Sequence, residues 1–123
     1  MTELHRAVGA GIVAGFLVLL VWGAVAAAMK RGPGGWFWRL LAAMQGALIL
    51  QMVAGVVLLA IGFRQPLLHY GYGALFPGLV LAGAHLFARG MPKEADAAKV
   101  FTLASFFVVA LLLRAFITGM GLP

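Results

Sequence analysis

Four stretches of this chain, His5 to Met29, Trp38 to Phe63, Pro66 to Arg89 and Ala97 to Gly119, each run for more than 20 residues with no more than two Lys, Arg, Asp or Glu. A helix needs about 20 mostly apolar residues to cross a hydrocarbon core of roughly 30 Å. Inside lipid an isolated segment must satisfy its own backbone hydrogen bonds, which selects the helix. Only short connections and tails remain outside these runs, so the 123 residues form one membrane domain, 1–123. The expected fold is an all-α, polytopic four-transmembrane-helix bundle. Charged residues make up 10% of the chain, against roughly 25% in soluble domains. The first run has a basic residue near its start and an Ala-rich end, as a signal peptide does. Its apolar part is too long for a signal-peptide core and long enough to span, so it is expected to stay as the first helix.

Orientation follows from the basic residues beside the spans. Lys30, Arg31 and Arg39 flank the first connection and Arg89, Lys93 and Lys99 the third, while Arg6, Arg64 and Arg114 belong to the opposite side. Six against three places the first and third loops in the cytoplasm and both termini outside. Trp36 and Trp38 suit an aromatic anchor at the inner interface. A net charge of +6 divided among membrane boundaries fits anionic lipid headgroups and is no nucleic-acid signature. Without cysteine, disulfides, iron–sulfur clusters and Cys-based zinc sites are excluded.

Proline and glycine punctuate the helices. Gly32-Pro33-Gly34-Gly35 ends the first, Pro66 suits the first turn of the third, and Glu94 and Asp96 favour the start of the fourth. Pro77, within the third, is expected to kink it and free the carbonyl of Gly73. Helices in lipid associate by close backbone approach. The ridge Ala7, Gly11, Gly15 and the stripe Gln51, Gly55, Leu59, Gly62 are therefore candidate packing faces.

Two of the apolar runs open with the same pattern, Leu-His-x-x-x-Gly-Ala: Leu4 to Ala10 and Leu68 to Ala74. Residues four apart are neighbours on a helix, so His5 shares a face with Gly9, and His69 with Gly73. The histidines start helices that run in the same direction, one helical hairpin apart, which puts them at equal depth near the outer face. Two neutral imidazoles so placed can hold a heme iron from both sides, each glycine leaving clearance for the porphyrin. The plainer account, a pair of amphipathic interfacial histidines in a chain rich in Leu, Gly and Ala, stands beside it.

Leu4-His5-Arg6-x-x-Gly9 resembles the His-Arg motif with which heme A synthases, the family that oxidises the methyl group of heme O, begin a heme-binding helix. Gln51-Met52-Val53-Ala54-Gly55 is similar to the Gln-x-x-x-Gly of that family's next helix, and Leu68-His69 to its second ligand helix. The likeness covers the first three helices; the fourth fits by hydropathy alone. It implies heme b or a related heme bound by His5 and His69, in one half of a protein that the family builds from two fused halves. The family's catalytic half carries Glu three residues before the first His. Here that position is Thr2, and Glu3, one residue displaced, is the only acid near it, a weak catalytic candidate. There is also no Cys pair and no second half in the chain, so oxidation would need a homodimer or another heme-bearing partner.

Against such a site Arg6, Arg64 and Arg114 are the candidate partners of heme propionates, Arg through its forked donors, with lipid phosphate the alternative for Arg64. Gln45 and Gln51 are candidates for interhelical hydrogen bonds, Gln51 also for contact with heme or quinone. His85 lies 16 residues past His69, roughly 24 Å along and about 160° around the helix. It cannot ligate the same iron and is read as interfacial. Tyr70 and Tyr72 read as outer-interface anchors. A proton-coupled transporter normally carries ionisable groups within its spans, but Glu3, Glu94 and Asp96 are terminal or in a loop. Two functions remain: a bis-His heme protein of electron transfer or heme handling in a respiratory membrane, expected to be a prokaryotic cytoplasmic membrane, or a cofactor-free accessory subunit of a respiratory or photosynthetic complex.

Overall fold

The computed structural model describes residues 2–120 and, among them, only helices and their connections. These are α1 (Thr2–Ala28), α2 (Gly35–Ala60), α3 (Leu67–Ala88) and α4 (Glu94–Gly119), each long and apolar enough to cross a membrane. The ends differ from the sequence expectation by a few residues for local reasons. α4 begins at Glu94 instead of Ala97 because Glu94 and Asp96 occupy its first turn, where acids meet the positive end of the helix dipole. α2 stops at Ala60 because Gly62, at φ 105°, reverses the chain: its N–H donates to the Leu59 carbonyl and that of Phe63 to the Leu58 carbonyl. This pair of bonds is a Schellman cap, which favours glycine. α1 ends with the same bonds, Lys30 to Ala27 and Arg31 to Ala26, but there Lys30 holds the left-handed position at φ 55°.

Pro77 acts on α3 in a specific form. The helix is α-helical over Leu67–Tyr70, π-helical over Gly71–Leu75 and α-helical again over Phe76–Ala88. Proline has no N–H and crowds the preceding turn, and widening that turn into a π-bulge absorbs the conflict without ending the helix. The bulge begins two residues after His69.

α4 is the hub, packed along α1 on one side and α3 on the other, while α1 also packs on α2. α2 and α3 make no comparable contact. The bundle is thus an open arrangement, in the order α2, α1, α4, α3, with a seam between its outer helices. Phe16, Leu19, Phe37 and Val108 are fully buried in its core. Lipid is as apolar as leucine, so close packing holds such helices together. Gly15 leaves no room for a Cβ beneath Met44 of α2, and Gly23 none beneath Thr102 of α4. The expected ridge on α1 is corrected accordingly: Gly15 packs, whereas Gly11 is exposed with nothing near it. The hydroxyls of α4 are satisfied within the helix, Thr102 by the Ala98 carbonyl at 2.7 Å and the buried Ser105 by that of Phe101 at 2.8 Å, as a low-dielectric surrounding requires.

The first and third connections meet at one end. There Trp22, Phe37, Trp38, Phe101 and His85 form a chain of edge-to-face ring contacts, with centroids 4.8–6.0 Å apart, the preferred aromatic geometry. The Trp38 indole N–H donates to the Glu94 carboxylate at 2.8 Å, tying α2 to the start of α4.

Candidate functional site

The start of α1, the end of α4 and the second connection meet at the opposite end, and here the seam between α2 and α3 opens into a cleft of about 220 Å³. All four helices line it: His5, Arg6 and Gly9 from α1, Gln51 and Gly55 from α2, His69 and Gly73 from α3, Ala115, Phe116 and Gly119 from α4.

The two histidines face each other across this cleft with ring centroids 6.5 Å apart and planes inclined at 59°. A metal–imidazole bond is about 2.0 Å, so two imidazoles on opposite sides of one metal ion have centroids roughly 6 Å apart. No group of three or more His, Cys, Asp or Glu side chains converges on a point among the described residues, so the cleft offers a metal two imidazoles and no protein cage.

The histidines are held differently. His69 Nδ1 lies 2.8 Å from the Ala115 carbonyl oxygen. A carbonyl can only accept, so Nδ1 carries the proton, and in the neutral ring Nε2 is then the nitrogen with the lone pair. The same carbonyl accepts from the Thr118 hydroxyl at 3.1 Å. Gly119 gives the ring its space, since a Cβ there would lie 3.0 Å from both Nδ1 and Cε1. At His5 it is the backbone that is fixed: the Gln51 amide donates to the His5 carbonyl and so ties α2 to the first turns of α1. The ring itself has no such support. Its Nδ1 is buried without a hydrogen-bond partner, and a Cβ on Gly55 would meet its Cε1 only at an ordinary 3.7 Å.

Of the residues singled out in the sequence, His5, His69, Gly9, Gly73, Gln51 and Arg6 come together in this cleft. Arg64 and Arg114 do not line it. Arg114 lies on the exposed face of α4 with its guanidinium 5.5 Å from the Tyr72 ring centroid, a cation–π arrangement. Glu3 is exposed in the first turn of α1, and the side chain of Thr2 lies outside those described. Gln45 joins helices as expected, its amide oxygen accepting from His85 Nε2 at 2.7 Å. That bond bridges α2 and α3 at the closed end, so His85 is an interhelical partner and no member of the cleft. Sequence reasoning missed Ala115, Phe116, Gly119, Met52 and Met120, which also line it. For the α4 residues a usable signal was present: small and hydroxyl residues recur at helical spacing on the buried side of α4, at Ala98, Ser105, Ala115 and Thr118. No family model, curated protein or solved structure matches this chain.

Proposed function

We propose that this protein is a membrane heme protein whose iron is held between His5 and His69, serving electron transfer or heme handling. The observation that carries the reading is the 6.5 Å pairing of the two rings across a cleft lined by all four helices. His5 and His69 would hold the iron, and a porphyrin would supply the ligands that the protein does not. A metal that needs its ligands from side chains would find too few. His69 has the supporting hydrogen bond to a backbone carbonyl that metal-ligating histidines generally have. Gly9, Gly55 and Gly73 line the cleft and bring no side chains of their own, and Arg6 offers a forked donor to carboxylates at the rim. The cofactor, when bound, supplies a one-electron couple; the chain supplies ligation, orientation and a largely apolar enclosure.

The likeness to one half of a heme A synthase fits this reading, because its motif residues His5, Arg6, Gly9, Gln51, Gly55 and His69 all line one cleft. Oxidation of a second heme would need a second copy of the chain or another heme-bearing subunit, so electron transfer is the simpler task. The charge distribution puts the cleft on the outer side of the membrane, and we place the protein in a prokaryotic cytoplasmic membrane.

A reduced-minus-oxidised spectrum of the purified, folded protein tests the proposal. Low-spin b-type absorption is expected. Its absence from protein expressed with ample heme overturns the reading and leaves a cofactor-free accessory subunit.

A further inference from the structure

The unequal support of the two rings has a consequence for a bound metal. We propose that His69 is the fixed ligand and His5 the exchangeable one, so that the site admits a small uncharged diatomic molecule in place of His5. This inference rests on the heme reading above.

A histidine whose Nδ1–H donates to a carbonyl is both oriented and made a stronger donor through Nε2. His69 has that bond, to Ala115 at 2.8 Å. It also sits against Gly119 with no spare space, a Cβ there already falling at 3.0 Å. For His69 to leave, a hydrogen bond must break and a packed ring must move. His5 faces the opposite balance. Its Nδ1 is buried and unpaired, a state that carries a desolvation penalty. It stands in the opening turn of α1, between the exposed Leu4 and Arg6. Swinging outward returns Nδ1 to hydrogen-bonding partners at the interface and breaks no hydrogen bond of the ring. Because Gln51 holds the His5 carbonyl, the movement is one of the side chain and leaves the helix in place.

The cleft that receives the ligand is lined largely by apolar side chains, among them Ile12, Leu48, Leu112 and Phe116, with Arg6, Gln51, Gln65 and Tyr70 as its polar members. An apolar wall disfavours anions and suits a neutral diatomic ligand. The exchange is one of donor pairs: the His5 nitrogen releases the metal, the diatomic takes its place, and no electron is transferred.

Carbon monoxide added to the dithionite-reduced holoprotein is the probe, read as a shift of the Soret band. The wild-type protein is expected to bind it saturably. His5→Ala is expected to keep its heme in a high-spin form and bind carbon monoxide about 10-fold more tightly or better, because the competent state no longer waits on departure of the side chain. His69→Ala is expected to lose most of its heme during purification. A wild-type low-spin spectrum unmoved by saturating carbon monoxide would overturn the inference while leaving the heme reading intact, and that measurement needs no variant. The reverse pattern, heme lost from His5→Ala and carbon monoxide bound by His69→Ala, would overturn it as well. A wild-type protein without any Soret band removes the heme reading and this inference with it.

Discussion

The two ends of the bundle are built from the same four helices and solve opposite problems. At the end formed by the first and third connections, aromatic rings interlock edge to face from Trp22 to His85, and the seam between α2 and α3 is closed by His85 and Gln45. At the other end the seam is open, two histidines stand 6.5 Å apart, and one ring nitrogen has no partner. One end pairs its polar side chains, His85 with Gln45 and Trp38 with Glu94. The other leaves a buried ring nitrogen unpaired, in a cleft lined by all four helices. An unsatisfied buried polar atom is costly and uncommon, and the one found among the described residues, His5 Nδ1, lies at the open end.

The comparison breaks most decisively at the histidines. His5→Ala and His69→Ala should each abolish a low-spin heme spectrum, while His85→Ala, whose partner is Gln45, should leave it unchanged. A low-spin signal surviving in either of the first two, or lost in the third, would mean the ends have been assigned the wrong roles. Next is Gly119→Val. Its added bulk displaces the His69 ring from the Ala115 carbonyl, and loss of such supporting geometry lowers metal affinity about 10-fold or more; titration with hemin measures it. Normal affinity would show that the ring is not positioned from α4.

At the closed end Phe37→Ala should destabilise the fold by roughly 2 kcal/mol. The usual cost of such a truncation is about 3–5 kcal/mol, but in lipid the transfer part is largely absent and the cavity part remains. Denaturant unfolding in detergent should register the loss, while the heme spectrum of the folded fraction stays unchanged. Gln51→Leu removes one interhelical hydrogen bond, worth about 0.6–1.7 kcal/mol in membrane proteins, and should loosen the first turns of α1, raising hydrogen exchange at the amides around His5. Unaltered exchange would assign the anchoring of His5 to packing instead. The smallest effect belongs to Lys30→Gly, which relieves a left-handed lysine at φ 55° and should raise stability by up to about 1 kcal/mol. A decrease would show that the Lys30 charge matters more than its backbone.

Much of the architecture was legible because the membrane demands it. Span length, the Gly-rich and Pro-rich breaks and the shared depth of His5 and His69 follow from a 1.5 Å rise per residue and a hydrocarbon slab of fixed thickness. Lateral arrangement was not legible, because lipid-facing and buried positions are both apolar in such helices. Nothing in hydropathy marks α4 as the hub or sets Gly15 apart from Gly11. The site was half legible for the same reason. Its histidine pair, glycines and glutamine carry chemical character in the sequence, whereas Ala115 contributes only a backbone carbonyl, and Gly119 only missing atoms. Arg64 and Arg114 belong to the right end of the molecule, but depth alone does not decide which way a connection or a helix face turns.

The sequence by itself determined a four-span membrane bundle and the delivery of two imidazoles to one level, since both depend on distances along the chain. Only the tertiary structure decided that α2 and α3 part around the cleft, that α4 anchors His69, and that His5 is left without a partner for its buried nitrogen. Those outcomes depend on which surfaces interlock around the bundle, where close packing discriminates between positions that hydrophobicity treats alike.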